Sequence, residues 1–201
     1  MSLNLFIIGP SGSGKSTQAK LIAKKYQLTH FSVGQIIRDQ ISLETKLGQE
    51  AKSFLDSGNL VPDKVIHPLL TQSLEKINYQ NYIIDGFPRL LDQGLFIEEF
   101  LLKINNPFDL IIHLDVTSQE ITLRRSKMGD SFQDASRTDT SPEDIASRQA
   151  FYDKNNQPII DHFSSLGKLL RIDGNRPVAP IFEDIKTNLD KLLNHKNSLQ
   201  N

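Results

Sequence analysis

Gly9-Pro10-Ser11-Gly12-Ser13-Gly14-Lys15-Ser16-Thr17, residues 9–17, is the stretch whose reading decides the fold of this 201-residue chain. It fills the pattern G-x-x-x-x-G-K-[ST] without a gap. Before it, Leu3 to Ile8 (LNLFII) is an apolar run of strand length. After it, Gln18 to Tyr26 carries Ala19, Ile22, Ala23 and Tyr26 at helical spacing. Strand, glycine loop and helix are the context a phosphate-binding loop needs. Glycines let consecutive backbone N–H groups turn toward one anion, and the helix N-terminus adds its positive dipole end. Gly12, Ser13, Gly14 and Thr17 then belong to the cradle of a nucleoside triphosphate. Lys15 reaches its β and γ phosphates, and the Ser16 hydroxyl can sit on Mg²⁺.

The bulk composition narrows the class. The length suits one domain with a real core. With 23 basic and 24 acidic residues the formal charge is −1, so no global field favours nucleic acid or an anionic membrane, and neither is expected as a partner. Cysteine is absent, which excludes disulfides and thiolate zinc sites and fits a reducing compartment. The first apolar run stops at Gly9-Pro10, too short for a signal peptide or a membrane span. A soluble, cytoplasmic and monomeric protein is the expectation.

Outward from the loop, the pattern alternates. Thr29 to Val33 reads as a second strand, and Gly34 is expected to open a helix that carries Ile36, Ile37, Arg38 and Ile41. Leu43 to Leu60 reads as a helix closed by Gly58-Asn59, and Pro62-Asp63 begins another that runs to about Ile77. Tyr82 to Asp85 is a third strand, Leu90 to Leu102 a helix, and Asp109 to Asp115 a fourth strand followed by Thr117-Ser118 as helix caps. Met128 to Asp139 has neither period, as a functional lid or a disordered linker would. Ser141 to Asp144 restarts a helix with a capping box, running to about Phe163 with a kink at Pro158. Lys168 to Asp173 is a fifth strand and Val178 to Leu193 a closing helix, with His195 to Asn201 frayed. Five short apolar strands alternating with helices predict an α/β fold, a parallel sheet covered on both faces. Ligands on such sheets sit at the carboxyl ends of the strands, where Gly9 and Asp85 both fall.

A second constellation lies in YIIDGFPR, Tyr82 to Arg89. A strand-ending aspartate by itself reads as a turn former. Followed by GFPR, with a phosphate loop upstream, Asp85 reads as the carboxylate that directs Mg²⁺. Gly86 allows close backbone approach, and Arg89 offers a planar fork to a phosphate.

Taken in order, GPSGSGKSTQ, SVGQIIR (Ser32 to Arg38), GNLVPD (Gly58 to Asp63), DGFPRLLDQ (Asp85 to Gln93), RTD (Arg137 to Asp139), Arg148 and DGNRPV (Asp173 to Val178) resemble the nucleoside monophosphate kinases, adenylate kinase above all. The resemblance implies a five-stranded parallel sheet of the P-loop NTPase kind, built as one kinase domain. Its core would comprise 1–33, 64–126 and 140–201, with a monophosphate-binding part at 34–63 and a short lid at 127–139. It implies transfer of the γ-phosphoryl of MgATP to AMP. Arg38 and Arg89 resemble the arginines that clamp the acceptor phosphate, and Gly86, Val33 and Val61 stand at acceptor-nucleotide positions. Gln93 resembles the side chain that reads an adenine acceptor, Arg124 the arginine that lies on the donor adenine, and Arg176 stands on the donor side. Arg137 and Arg148 resemble the arginines that close on the transferring phosphoryl, catalytic together with Lys15 and Arg89. The chemistry agrees. A metaphosphate-like group needs positioning and neutralisation, and an acceptor phosphate needs no general base.

Several positions depart from the family pattern. Ser16 stands where glycine is common, and it completes the general loop motif. Val33 replaces a threonine that touches the acceptor base, and Gln35 replaces an aspartate. Met128 and Thr140 stand where many members carry an arginine and a second aspartate. A uridylate/cytidylate kinase and a nucleotide-binding sensor of weak turnover therefore remain as alternatives. Gln93 favours adenine over the first of these, since those kinases carry asparagine there.

Overall fold

Alternation along β1 (Asn4–Ile8) sets the two cores of the molecule. Leu5 and Ile7 face one side, where they meet Ala19, Ile22, Ile181, Ile185 and Leu189. Phe6 and Ile8 face the other, among Val65, Leu69, Ile97, Leu101 and Phe163. A strand apolar on both faces can only be central, and β1 is the middle strand of five in the order β2-β3-β1-β4-β5. The flanking strands are β2 (Thr29–Ser32), β3 (Tyr82–Asp85), β4 (Leu110–Asp115) and β5 (Leu169–Asp173). All four pairings are parallel, with Leu5 opposite Ile83 and Leu110 on its two sides. The computed structural model describes residues 2–56, 61–128 and 142–198.

Parallel strands need crossovers, and helices supply them. The helices are α1 (Lys15–Tyr26), α2 (Val33–Ser42), α3 (Lys46–Asp56), α4 (Asp63–Glu75), α5 (Leu91–Lys103), α6 (Ser118–Met128), α7 (Pro142–Ser165) and α8 (Val178–Ser198). On one face α1 packs against α8, and on the other α5 packs against α7. Phe6 anchors the second core by edge-on contacts with Tyr82 and Phe108, its ring centroid 6.0 and 5.1 Å from theirs. The chain passes from β1 outward to β2, returns to β3, then crosses to β4 on the far side of β1. The phosphate loop and the loop after Asp85 thus leave adjacent strands in opposite directions, at the crevice where such sheets hold ligands.

The expected five-stranded parallel sheet is present, and the deviations are local. The second helix begins at Val33, not Gly34, since the chain leaves β2 at Ser32. The helix expected over Leu43–Leu60 is α3, Lys46–Asp56. Thr45 sets its start, because the Thr45 hydroxyl accepts the Gly48 N–H at 3.0 Å, while Glu44 before it has φ +51°. Residues 57–60 lie outside the described residues. α4 stops at Glu75, short of Ile77, where Asn78 and Tyr79 take up positive φ. α7 runs through Pro158 to Ser165, and α6 reaches Met128, inside the range expected for a lid. The remainder of that range and the capping box at Ser141 lie outside the described residues. Over residues 195–198 the expected fraying is not observed, for α8 continues to Ser198, while residues 199–201 lie outside the described residues. Tertiary contact holds its last turns, since Lys196 Nζ donates to the Ser2 carbonyl at 2.8 Å and to Asp109 Oδ1 at 2.7 Å. Among the described residues, no helix is long and apolar enough to cross a membrane.

Candidate active site

Between β1 and α1 the loop turns through Gly12 at φ +89° and Gly14 at φ +94°, values that side-chain-bearing residues rarely adopt. Ser13 N–H donates to the Pro10 carbonyl at 3.2 Å, which closes the turn. Lys15, the first residue of α1, folds back so that Nζ donates to the same carbonyl at 2.7 Å. Its ammonium therefore sits on the loop, within reach of an anion cradled there. Ser16 and Thr17 follow in the first turn of α1, where backbone N–H groups have no helical partner.

Asp85 ends β3 beside that helix start, nearly sealed from solvent. The Ser16 hydroxyl donates to Asp85 Oδ2, so the two groups expected to direct a metal meet across adjacent strands. His30 Nε2 lies 3.9 Å from the same oxygen. Burial pushes the His30 imidazole below its ordinary range even though Asp85 opposes the shift. His30 is thus a neutral neighbour at pH 7, not a counter-charge to the carboxylate.

Arg124, on α6, makes four hydrogen bonds to the protein through its guanidinium edge. Nε donates to Glu120 Oε1 at 2.8 Å and Nη1 to the Ser13 carbonyl at 2.9 Å. Nη2 donates to the Gly174 carbonyl and, at 3.1 Å, to that of Arg176. The side chain therefore staples the phosphate loop to the turn between β5 and α8. Its planar face is the part left for a ligand. Arg176 is tied in turn to Asp184 Oδ2 at 2.6 Å and to the Asp173 carbonyl. The backbone N–H of Asn175, and then its side chain, hold the Asp173 carboxyl below the usual range.

Gly86, Arg89 and Gln93, expected on the acceptor side, lie in the loop after β3 and the first turn of α5. Gly86 has φ +83°, and its carbonyl accepts Arg89 Nε at 3.1 Å. Gln93, in the first turn of α5, is 4% exposed. Its Oε1 accepts the Arg89 backbone N–H at 2.9 Å, and its Nε2 donates to Asp63 Oδ1 at 2.6 Å. Val33 and Val61 are buried in the same apolar cluster as Phe87. On α2, Arg38 Nη2 donates to Gln35 Oε1 at 2.6 Å, and Gln35 Nε2 donates to Asp39 at 2.7 Å. The amide at position 35 thus accepts the arginine as a carboxylate would, without its charge.

Arg148 lies half-buried on α7. One turn later on that helix, the Tyr152 hydroxyl meets His113 Nε2 at 2.7 Å. Burial first, then Arg171 and Lys15, push His113 down to about 4 against the pull of Asp115, and burial pushes Tyr152 up to about 12. The pair is neutral across the physiological range. Arg137 lies outside the described residues, as does Thr140. Sequence reasoning missed Asp63 as a partner of Gln93, and it missed the His113–Tyr152 pair. Separations of 30 and 39 residues leave no local pattern to find them by.

Two clusters are thus bonded together: the start of α1 to Asp85 through Ser16, and the loop after β3 to α5 and Asp63 through Gln93. The sequence model of the family described as adenylate kinase matches residues 7–168. An adenylate kinase of Cyanothece sp. is 36% identical over 197 residues, covering 96% of this chain and 97% of that protein. Those of Methanothrix thermoacetophila and Pyrococcus abyssi are 32% and 33% identical, covering 94% and 97% of this chain and 99% of each relative.

Proposed function

The chain belongs to the adenylate kinase family and is a phosphotransferase, and from that premise we propose how its cleft is divided between two nucleotides. MgATP lies on the phosphate loop, with Lys15 at its β and γ phosphates and the adenine against the free face of Arg124. AMP lies toward α2 and α5, its phosphate between Arg38 and Arg89 and its base on Gln93. The γ-phosphoryl passes reversibly from ATP to AMP and gives two ADP. The AMP phosphate oxygen is already an anionic nucleophile, so the protein's task is alignment and neutralisation. Arg148 on α7 and Arg137 beyond α6 complete the positive field around the moving group.

The single observation that carries this division is the double role of Arg89. Its guanidinium hangs on the Gly86 carbonyl while its backbone N–H is held by Gln93. Phosphate clamp and base reader are thereby joined through one residue, which sets their separation. The segment 34–63 forms the wall of the AMP side, a short lid over 127–139 covers the other, and one monomer supplies every group.

A Mg²⁺ ion fits the donor set. Ser16 in the first turn of α1 and Asp85 at the end of β3 offer oxygen only, in direct contact with each other. Among the described residues no group of three or more His, Cys, Asp or Glu could hold a metal alone. An ion that keeps most of its shell for water and substrate phosphates suits such a site. When bound, it neutralises the β and γ oxygens.

Arg89→Ala tests the division. Calorimetry on each nucleotide alone should show AMP binding weakened at least about tenfold, as expected for loss of a charge-assisted fork, with ATP binding unchanged. Equal weakening of both would move Arg89 to the donor side and overturn the assignment.

A further inference from the structure

Gln93 is an amide whose two ends look alike in shape and opposite in hydrogen bonding. Which end faces a base decides what that base can be. Two partners, one on each side, fix the choice here. The Asp63 carboxylate can only accept, so it takes Nε2, at 2.6 Å. The Arg89 backbone N–H can only donate, so it takes Oε1, at 2.9 Å. With 4% of Gln93 exposed, water cannot compensate a reversed amide. Asp63 is itself fixed. It opens α4 directly after Pro62, and His67 one turn on stacks on Phe96 of α5 with ring centroids 3.5 Å apart. The helix bearing the carboxylate and the helix bearing the amide are thereby held side by side.

We infer that Asp63 is a specificity-determining positioning residue, one that locks the Gln93 amide in the orientation that selects adenine over hypoxanthine. This rests on the reading above that Gln93 meets the acceptor base. After its two protein bonds, Gln93 retains one N–H and one oxygen lone pair. Adenine presents an amino donor at C6 and an acceptor at N1, which match an amide oxygen and an amide N–H in turn. Hypoxanthine presents the reverse, a carbonyl at C6 and a donor at N1. To read it, Gln93 would have to turn over. Its oxygen would then face the Asp63 carboxylate, and its NH₂ would face the Arg89 N–H. Both contacts would be repulsive in a buried site.

The test compares AMP with IMP as acceptors at fixed MgATP, by kcat/KM and by calorimetric Kd for each monophosphate. The chain as it stands should prefer AMP by at least about 1,000-fold, the scale of a site built on hydrogen bonds. Asp63→Asn keeps the shape but can offer an N–H to a turned Gln93, so the AMP/IMP ratio should narrow about tenfold or more. Asp63→Ser removes the fixed acceptor with less bulk and should narrow it too, which guards against one variant failing to fold. A merely structural role would lower both acceptors together and leave the ratio unchanged, and that result overturns the inference. Gln93→Leu separates the two levels. If it collapses the ratio while both Asp63 variants preserve it, Gln93 reads the base and Asp63 does not position it. If Gln93→Leu also leaves the ratio intact, the reading of Gln93 itself falls.

Discussion

Replacing Arg124 by lysine keeps the charge and removes the fork, and the structure gives the size of the consequence. Arg124 bonds four acceptors in three separate segments: Glu120 on its own helix, Ser13 in the phosphate loop, and Gly174 and Arg176 after β5. A lysine ammonium is a compact point with three donors and cannot span the Ser13 and Gly174 carbonyls as a planar group does. At least two carbonyls lose a charged donor, each bond being worth about 1.5–3 kcal/mol when its partner is left dry. The site is not dry, since the Arg124 side chain is 21% exposed, and water recovers part of the loss. A net cost of about 2–3 kcal/mol follows from these bonds. For a domain of this size that is a fall of about 4–12 °C in Tm, read by circular dichroism. ATP affinity should also drop, by about 3- to 30-fold in calorimetry, because the planar face offered to the donor base is gone. AMP affinity should not change. A Tm within about 1 °C of the parent, together with unchanged ATP affinity, would refute both the staple and the stacking role.

Three further outcomes follow. Lys15→Ala should lower turnover at least about 100-fold, with an unchanged far-ultraviolet dichroism spectrum, because this ammonium alone on the loop follows charge onto the moving phosphoryl. Normal turnover would remove Lys15 from the reaction. Folded His113 resists protonation down to about 4, whereas the unfolded chain protonates it near 6.5, so the unfolded state binds more protons between those values. Stability should therefore fall as pH drops from about 6.5 to about 4, by up to about 3 kcal/mol from this group. Denaturant titrations of His113→Gln should show a shallower decline over that window, and an identical decline would exclude His113 as its source. Val33→Thr should widen the preference for AMP over CMP by about 5- to 30-fold in kcat/KM, by restoring one hydroxyl beside the acceptor base. A ratio that stays constant would place position 33 out of contact with the base.

Elements that speak through local pattern were readable from residue order, and those that depend on distant partners were not. The loop from Gly9 to Thr17 announces itself because its glycines, lysine and serine must occupy fixed spacings. Strand β1 does so because both its faces are apolar. Asp85 was recognisable as more than a turn residue from what surrounds it, and it lies against Ser16. The amide of Gln93 was read as a contact to the base. Its lock by Asp63 joins two helix starts 30 residues apart, and no period links them. Position 35 looked like a lost carboxylate, yet the amide oxygen still holds Arg38, a geometry that residue type alone does not disclose. The start of α3 slipped because Thr45 caps more firmly than the apolar Leu43 suggests. The end of α8 slipped because a polar tail looks frayed until Lys196 is seen bonded to Ser2 and Asp109.

The most direct test is a phosphorus NMR time course of the intact chain with Mg²⁺ and ATP, run in parallel with AMP, CMP and UMP. ATP and AMP should disappear in equal amounts, with two ADP formed for each pair consumed, and CMP and UMP should be converted more slowly. Faster conversion of CMP or UMP than of AMP, or release of inorganic phosphate in place of a second diphosphate, would contradict this assignment of the reaction.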